Sequence, residues 1–159
     1  MSDTDAVFIA SSRRSLATYF AKIDHALSHV SDEDIWWRPN QASNSLGNLI
    51  LHLAGSLRFW IPTVVGGRPS HRIRDLEFSI RGDISKEDLL SRLRGAVAEA
   101  DEVLGRVEPG TLHDVREGFS KPTVVLDAIY HGVTHFDMHA GQVLQLVKIR
   151  SGVDLKLPL

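Results

Sequence analysis

Apolar residues recur at intervals of three and four along most of this chain, the spacing that lines one face of an α-helix. From Ala6 to Val30, Val7, Phe8, Leu16, Tyr19, Phe20, Ile23 and Leu27 keep this period and predict a first long helix. Ser31-Asp32-Glu33-Asp34 reads as a capped short turn, and Trp36-Trp37-Arg38-Pro39-Asn40 as a connector ended by proline. A second stripe follows Ser45, a side chain suited to capping a helix N-terminus. It runs through Leu46, Leu49, Ile50, Leu53, Leu57, Trp60, Ile61 and Val64 to Gly66-Gly67. Pro62 falls in its last turn and predicts a kink or an early end, because proline lacks the amide donor.

Gly67 to Asp83 is mostly polar and reads as the longest loop, with Leu76 to Ile80 as a briefly extended piece. Ser85-Lys86-Glu87-Asp88 opens a third helix with acid in its first turn, carried by Leu89, Leu90, Leu93, Val97, Ala100 and Leu104 to about Val107. Pro109-Gly110 stops it. After Lys121-Pro122, the positions Val125, Ile129, Val133, Phe136, Ala140, Val143, Leu144 and Val147 define a fourth helix to about Ile149, and Ser151 to Leu159 forms a tail. With no internal repeat or low-complexity tract, four such helices predict an all-α fold. The expected arrangement is one antiparallel four-helix bundle occupying residues 1–159 as a single domain.

Composition narrows the function classes. The 159 residues are 43% hydrophobic and 24% charged, ordinary for a chain that buries its own core. A formal net charge of -2 supplies no field to gather nucleic acid or anionic lipid, so neither is an expected partner. Cysteine is absent, which excludes disulfides, thiolate metal sites and a cysteine nucleophile, and leaves histidine as the ligand for any soft metal. The start, Met-Ser-Asp-Thr-Asp, lacks the basic and apolar regions of a secretory signal, and a cytoplasmic location is expected. His52, Arg58 and His131 interrupt the apolar stretches, so no membrane-spanning helix is expected.

Candidate chemistry concentrates on the fourth helix, where His131, His135 and His139 recur every four residues and so share a helical face. His135 and His139 lie beside Phe136 and Ala140, which turns them toward the bundle and gives the geometry of a two-point metal clamp. Spacing alone also fits a surface pair or a hydrogen-bonded core pair. A third ligand would come from His52, between Leu51 and Leu53 on the second helix. Three neutral imidazoles would leave one coordination position and the charge of a divalent ion open, as in catalytic rather than closed structural sites.

Leu51-His52-Leu53, the late His135-x-x-x-His139-x-Gly141-Gln142, and the stretches Asn44-Ser45-Leu46-Gly47-Asn48-Leu49 and Arg58-Phe59-Trp60-Ile61 together resemble the DinB-like superfamily. The resemblance covers nearly the whole bundle. It implies a four-helix bundle of the DinB/YfiT-like type, often a homodimer, with His52, His135 and His139 holding one divalent metal ion at the end of a cavity. Zinc or nickel is the first expectation, iron or manganese the next. Relatives include bacillithiol- and mycothiol-dependent transferases and isomerases, and others are described as stress-induced proteins or metal-dependent hydrolases. A metal-dependent S-transferase using a low-molecular-weight thiol, or a hydrolase, is therefore expected. The rival is a non-catalytic module of a stress response that binds metal or a small-molecule ligand, and a third reading leaves the histidines vestigial in a structural dimer. One departure stands out: Ala140 occupies the position where members commonly carry arginine.

Around this core, Asn48 and Ser56 fall one turn on either side of His52 and are candidates for supporting or substrate-binding groups. Gln142, near His139, would bind a ligand or hold a neighbouring loop. Gly141 would let helices approach, and His131 would act as acid, base or supporting donor, or simply be hydrogen-bonded. Asp137 points about 200° away from His135 and is expected to meet solvent or another helix. His25 and His29 repeat the four-residue spacing but sit at a helix C-terminus, where histidine complements the dipole. Trp36, Trp37 and Trp60 are expected to close the core, with walling a ligand cavity as the alternative; Arg38 and Arg58 would make surface salt bridges or receive an anionic substrate, and Arg13-Arg14 is expected on a solvated face.

Overall fold

The computed structural model describes residues 3–157. Its elements are α1 (Asp3–Leu27), α2 (Asp32–Ile35), α3 (Leu46–Arg58), a π-helical segment (Phe59–Val65) and α4 (Arg74–Ser79), followed by α5 (Lys86–Leu104), a 3-10 turn (Pro109–Thr111), β1 (Val115–Arg116), β2 (Thr123–Val124) and α6 (Val125–Ser151). Serine sets three of the helix starts: Ser31, Ser45 and Ser85 each accept from the amide three residues on, and Asp34 and Asn48 return the bond to complete capping boxes for α2 and α3. The long helices α1, α3, α5 and α6 form the antiparallel bundle, α1 lying against α6 and α5, and α3 against α5 and α6. The two-residue ladder of β1 and β2, pairing Val115 with Val124, only fastens the connector before α6.

At the centre is α3, with eleven of its thirteen residues buried. Leu46, Ile50, Leu53 and Leu57 meet Leu89 and Leu93 of α5 and Phe136 and Val143 of α6 in one core, all at most 1% exposed. Each such side chain contributes about 1.5–3 kcal/mol by leaving water. Burial on nearly all sides also explains why Leu46–Val65 is long and apolar enough to cross a membrane by length and composition, against the expectation that His52 and Arg58 would prevent it. That stretch is the bundle's central helix, mostly enclosed by protein.

The α-helix ends at Arg58, and Pro62 sits buried within the widened, π-helical turn that follows. The carbonyls around it are taken by later amides, Gly66 N–H to Ile61 O at 2.9 Å and Arg68 N–H to Pro62 O at 3.0 Å. The strap that follows departs further from expectation. Leu76 to Ile80 is not extended: Arg74–Ser79 forms α4, with Leu76 half exposed and Glu77 buried. Hydrophobicity there is inverted relative to burial, and the reason is a polar partner beneath it. At the end of the bundle, Trp36 closes the core with its ring over Gly47 and its indole N–H donating to Ile84 O at 3.1 Å.

Candidate metal centre

Where α3 meets α6, three imidazoles converge. His52 comes from α3, and His135 and His139 from successive turns of α6. One ring nitrogen from each lies within 4.8 Å of those from the other two, and His52 Nε2 stands 3.1 Å from His135 Nε2. His52 is buried, whereas His135 and His139 are partly exposed, so the group opens to solvent on the α6 side.

Opposite edges of the rings decide which nitrogens are free. His52 Nδ1 lies 2.8 Å from Glu77 Oε2 and His139 Nδ1 lies 2.8 Å from Gln142 Oε1. Both partners are acceptors, so Nδ1 carries the proton and Nε2 keeps its lone pair. Ser56 Oγ stands 3.3 Å from His135 Nδ1, where its hydroxyl accepts from an Nδ1–H or donates to a bare Nδ1. Burial, followed by the neighbouring charges of His139, His52 and His131, pushes His135 down to about 3. Burial also lowers His139, with His52 adding to the effect and the Gln142 hydrogen bond opposing it. Neither takes a proton at neutral pH, so the 3.1 Å contact between His52 Nε2 and His135 Nε2 is bridged either by the Nε2–H tautomer of a neutral His135, with Ser56 donating to its Nδ1, or by an ion that takes a lone pair from each ring.

The donor set suits the second arrangement. Two nitrogens bound tetrahedrally at about 2.1 Å from one ion stand roughly 3.4 Å apart, close to the 3.1 Å between His52 and His135, with the three nitrogens all within 4.8 Å of one another. The donors present therefore fit one divalent first-row ion, held by neutral imidazoles whose outer nitrogens are already oriented. No acidic residue joins the cluster among the described residues.

Glu77 is the residue that sequence reasoning missed. It is buried beneath α4 and clamped by Arg72, with Nε 2.6 Å from Oε1 and Nη2 2.9 Å from Oε2. Burial alone would raise its carboxyl group, but the hydrogen bonds from Arg72 and His52 outweigh this and hold it below the usual range. Its seat is Gly55, one turn beyond His52, where a Cβ would lie 2.1 Å from Glu77 Oε1. Asn48 fixes the strap from the other side, donating to Glu77 O at 3.0 Å and Ile80 O at 2.9 Å. Fully buried and occupied at both ends, Asn48 does not face a substrate cavity as expected and reaches the histidines only through α4. The available signal was a lone acid between Leu76 and Phe78 in an otherwise polar strap, with a glycine one turn from a core histidine.

The other candidates sort clearly. Exposed His131 packs on Trp60 at 4.3 Å between ring centroids and lies 5.6 Å from His135, outside the cluster but beside it. Asp137 joins α6 to α1, accepting from Ser15 Oγ at 2.8 Å, while its Oδ1 is buried without a partner among the described residues. Ala140 is wholly enclosed in the core, so the position of the family's common arginine faces packing here rather than a ligand. Gly141 is exposed, and a Cβ there would meet no other group within 4 Å; close approach belongs instead to Gly132, where a Cβ would lie 3.1 Å from Ile61 Cδ1. Arg58 pairs with Glu99, Arg13 with Asp101, and Arg38 holds the carbonyls of Ser43 and Gln41 in its own loop.

Solved structures share this architecture at low identity. A conserved protein from Enterococcus faecalis is similar with a TM-score of 0.75 and 16% identity over 91% of this chain and 97% of that one. DinB-like proteins from Bacillus cereus (0.72, 15%, 96% and 94%) and Bacillus subtilis (0.70, 14%, 94% and 96%) are similar as well. No functionally curated protein matches the chain. The sequence pattern of the DinB superfamily matches residues 16–143, a span that holds all three histidines together with Glu77, and the chain belongs to that superfamily.

Proposed function

We propose that this protein is a metal-dependent enzyme in which His52, His135 and His139 hold one divalent ion, and that it transfers a low-molecular-weight thiol or hydrolyses a small substrate. The observation that carries the reading is the set of imidazoles turned toward one another with their Nδ1 edges against Glu77, Ser56 and Gln142. A bound ion supplies Lewis acidity, lowering the pKa of a thiol or water and polarising an acceptor. Three neutral donors leave its charge uncompensated, which favours an anionic nucleophile such as a thiolate and makes S-transfer, with a bacillithiol- or mycothiol-type thiol, the first reaction to test. Glu77 holds the His52 ring in position, and Gln142 does the same for His139. His131, exposed and one turn from His135, accepts the proton released by the nucleophile. Zinc or nickel suits the donor set, and iron or manganese is also accommodated.

The test is elemental mass spectrometry on tag-free protein beside His52→Ala and His135→Ala, followed by thiol-transfer and ester-hydrolysis assays with the metal found. Near one ion per chain, lost in both variants, with turnover lost alongside it, is the expected result. A native chain that is empty and refuses added zinc, nickel, iron and manganese overturns the metal site. Metal without turnover overturns the enzyme and leaves a binding module.

A further inference from the structure

On the opposite side of Glu77 from His52 lies a cavity of about 470 Å³ between the 67–80 strap, α3 and α5. None of the three histidines lines it, and it meets the metal centre only through the supporting residues Gly55, Arg72 and Glu77. Its size falls inside the roughly 300–1,000 Å³ span of small-molecule sites. The floor is apolar, built from Leu51, Ala54, Phe59, Pro62, Leu76 and Ile80. Four guanidinium groups, those of Arg58, Arg68, Arg72 and Arg92, stand around it, and Glu99, Glu102 and Glu77 pair with the first three, which leaves Arg92 in excess. This local excess of positive charge occurs in a chain whose net charge is -2.

The arginines are not used up by their partners. Arg58 and Arg72 each engage a carboxylate through Nε and Nη2, and Arg68 engages Glu102 through Nη2, which leaves every Nη1 over. Arg92, on α5, has no ion pair or side-chain hydrogen bond among the described residues. An apolar floor beneath surplus fork-shaped donors is complementary to one class of molecule, an apolar body carrying a carboxylate or phosphate. We infer that this cavity is a binding site for a small amphipathic anion. It stands independently of the metal reading, since none of its lining residues is a proposed ligand of the ion.

Isothermal titration with decanoate and with decyl phosphate, both below their micellar concentrations, tests the site, with decan-1-ol and inorganic phosphate as the separate halves of the chemistry. Saturable one-to-one binding of at least one amphiphile is expected, more than about tenfold tighter than either half, because a hydrogen bond to a charged group is lost with the alcohol and the apolar contact with phosphate. The two anionic arms tell carboxylate from phosphate. Arg92→Glu and Leu76→Glu, both at exposed positions, are each expected to weaken binding by about tenfold or more while leaving the melting temperature and the metal content of the chain unchanged. The inference is overturned by absence of saturable binding of both amphiphiles, by equal binding of decanol, or by binding that survives both substitutions. It is likewise overturned if sedimentation shows this face covered by a second copy of the chain and Leu76→Glu merely dissociates the pair.

Discussion

Two histidine pairs with the same four-residue spacing meet different fates in this molecule. His25 and His29, at the end of α1, touch edge to face at 5.1 Å, both exposed, and His25 donates from Nε2 to Leu155 O. His135 and His139 touch in nearly the same way, at 4.5 Å, yet face a third imidazole on another helix. Spacing within one helix thus brings two rings together and goes no further. The difference is made by groups remote in sequence that supply a third donor and orient its ring: His52 on α3, Glu77 on α4, and Gly55, whose missing side chain admits Glu77.

The most severe way to break the contrast is to remove the third donor. His52→Ala is expected to lower zinc affinity by more than the roughly 100-fold that loss of a supporting group costs, while His29→Ala leaves metal content unchanged; competition titration against a chelator reads both. Loss of the support comes next. Glu77→Ala strands the guanidinium of Arg72, a side chain only 12% exposed, and should cost about 3–5 kcal/mol in urea unfolding. Glu77→Gln keeps an acceptor for His52 and should instead appear mainly as a 10- to 100-fold loss of metal affinity. Gly55→Ala attacks the same contact from below, at about 1–3 kcal/mol, with metal affinity falling in step as Glu77 is displaced.

A gentler probe needs no metal. Because His135 and His139 are held below the ordinary histidine value in the fold, the unfolded chain takes up protons that the folded chain refuses. Stability of the metal-free protein should therefore be complete above about pH 6.5 and decline as the pH falls from there toward 3. A His135→Gln, His139→Gln double variant should flatten that decline in thermal unfolding. The smallest effect belongs to Asp137, between the two histidines in sequence but turned toward α1. Burial raises its carboxyl group against the opposing Ser15 hydrogen bond, so charging it costs the fold as the pH rises through about 4. Asp137→Asn should raise stability at pH 7 by less than about 1 kcal/mol, and hardly at all at pH 3.

The parts of this site that sequence disclosed and the parts it withheld follow one physical rule. Helices with an apolar period and serine caps were legible because period and cap are local, and Ser45, Ser85 and the stripe of α6 stand where expected. The three histidines were legible as a group because the resemblance joined α3 to α6. Glu77 and Arg72 were not, because their segment has no period of its own. α4 owes its shape to Asn48 gripping the Glu77 carbonyl and to the Glu77 carboxylate resting on His52, both contacts with residues more than twenty positions away. An acid whose burial is compensated from elsewhere looks, in its own neighbourhood, like any solvated loop residue. Ala140 lies in the core as its place in the α6 stripe predicts, whereas the exposed Gly141 was misjudged for a related reason: a helix period gives faces, but which neighbour fills each face is settled by packing.

The widened turn at Phe59–Val65 bears on how this chain lines up with its relatives. A turn closed by a hydrogen bond reaching five residues back holds one residue more than an α-turn. In a column-by-column comparison that surplus behaves as a one-residue insertion, and a relative that keeps α-geometry here needs a gap beside Pro62 before equivalent residues occupy equivalent space. Placed one column off, Trp60, half buried beside His131, would be equated with Ile61, which is wholly enclosed. At 14–16% identity, letters alone give little to position such a gap. Roles beyond this widened turn are therefore transferred soundly by superposition of the helices and not by counting along the chain.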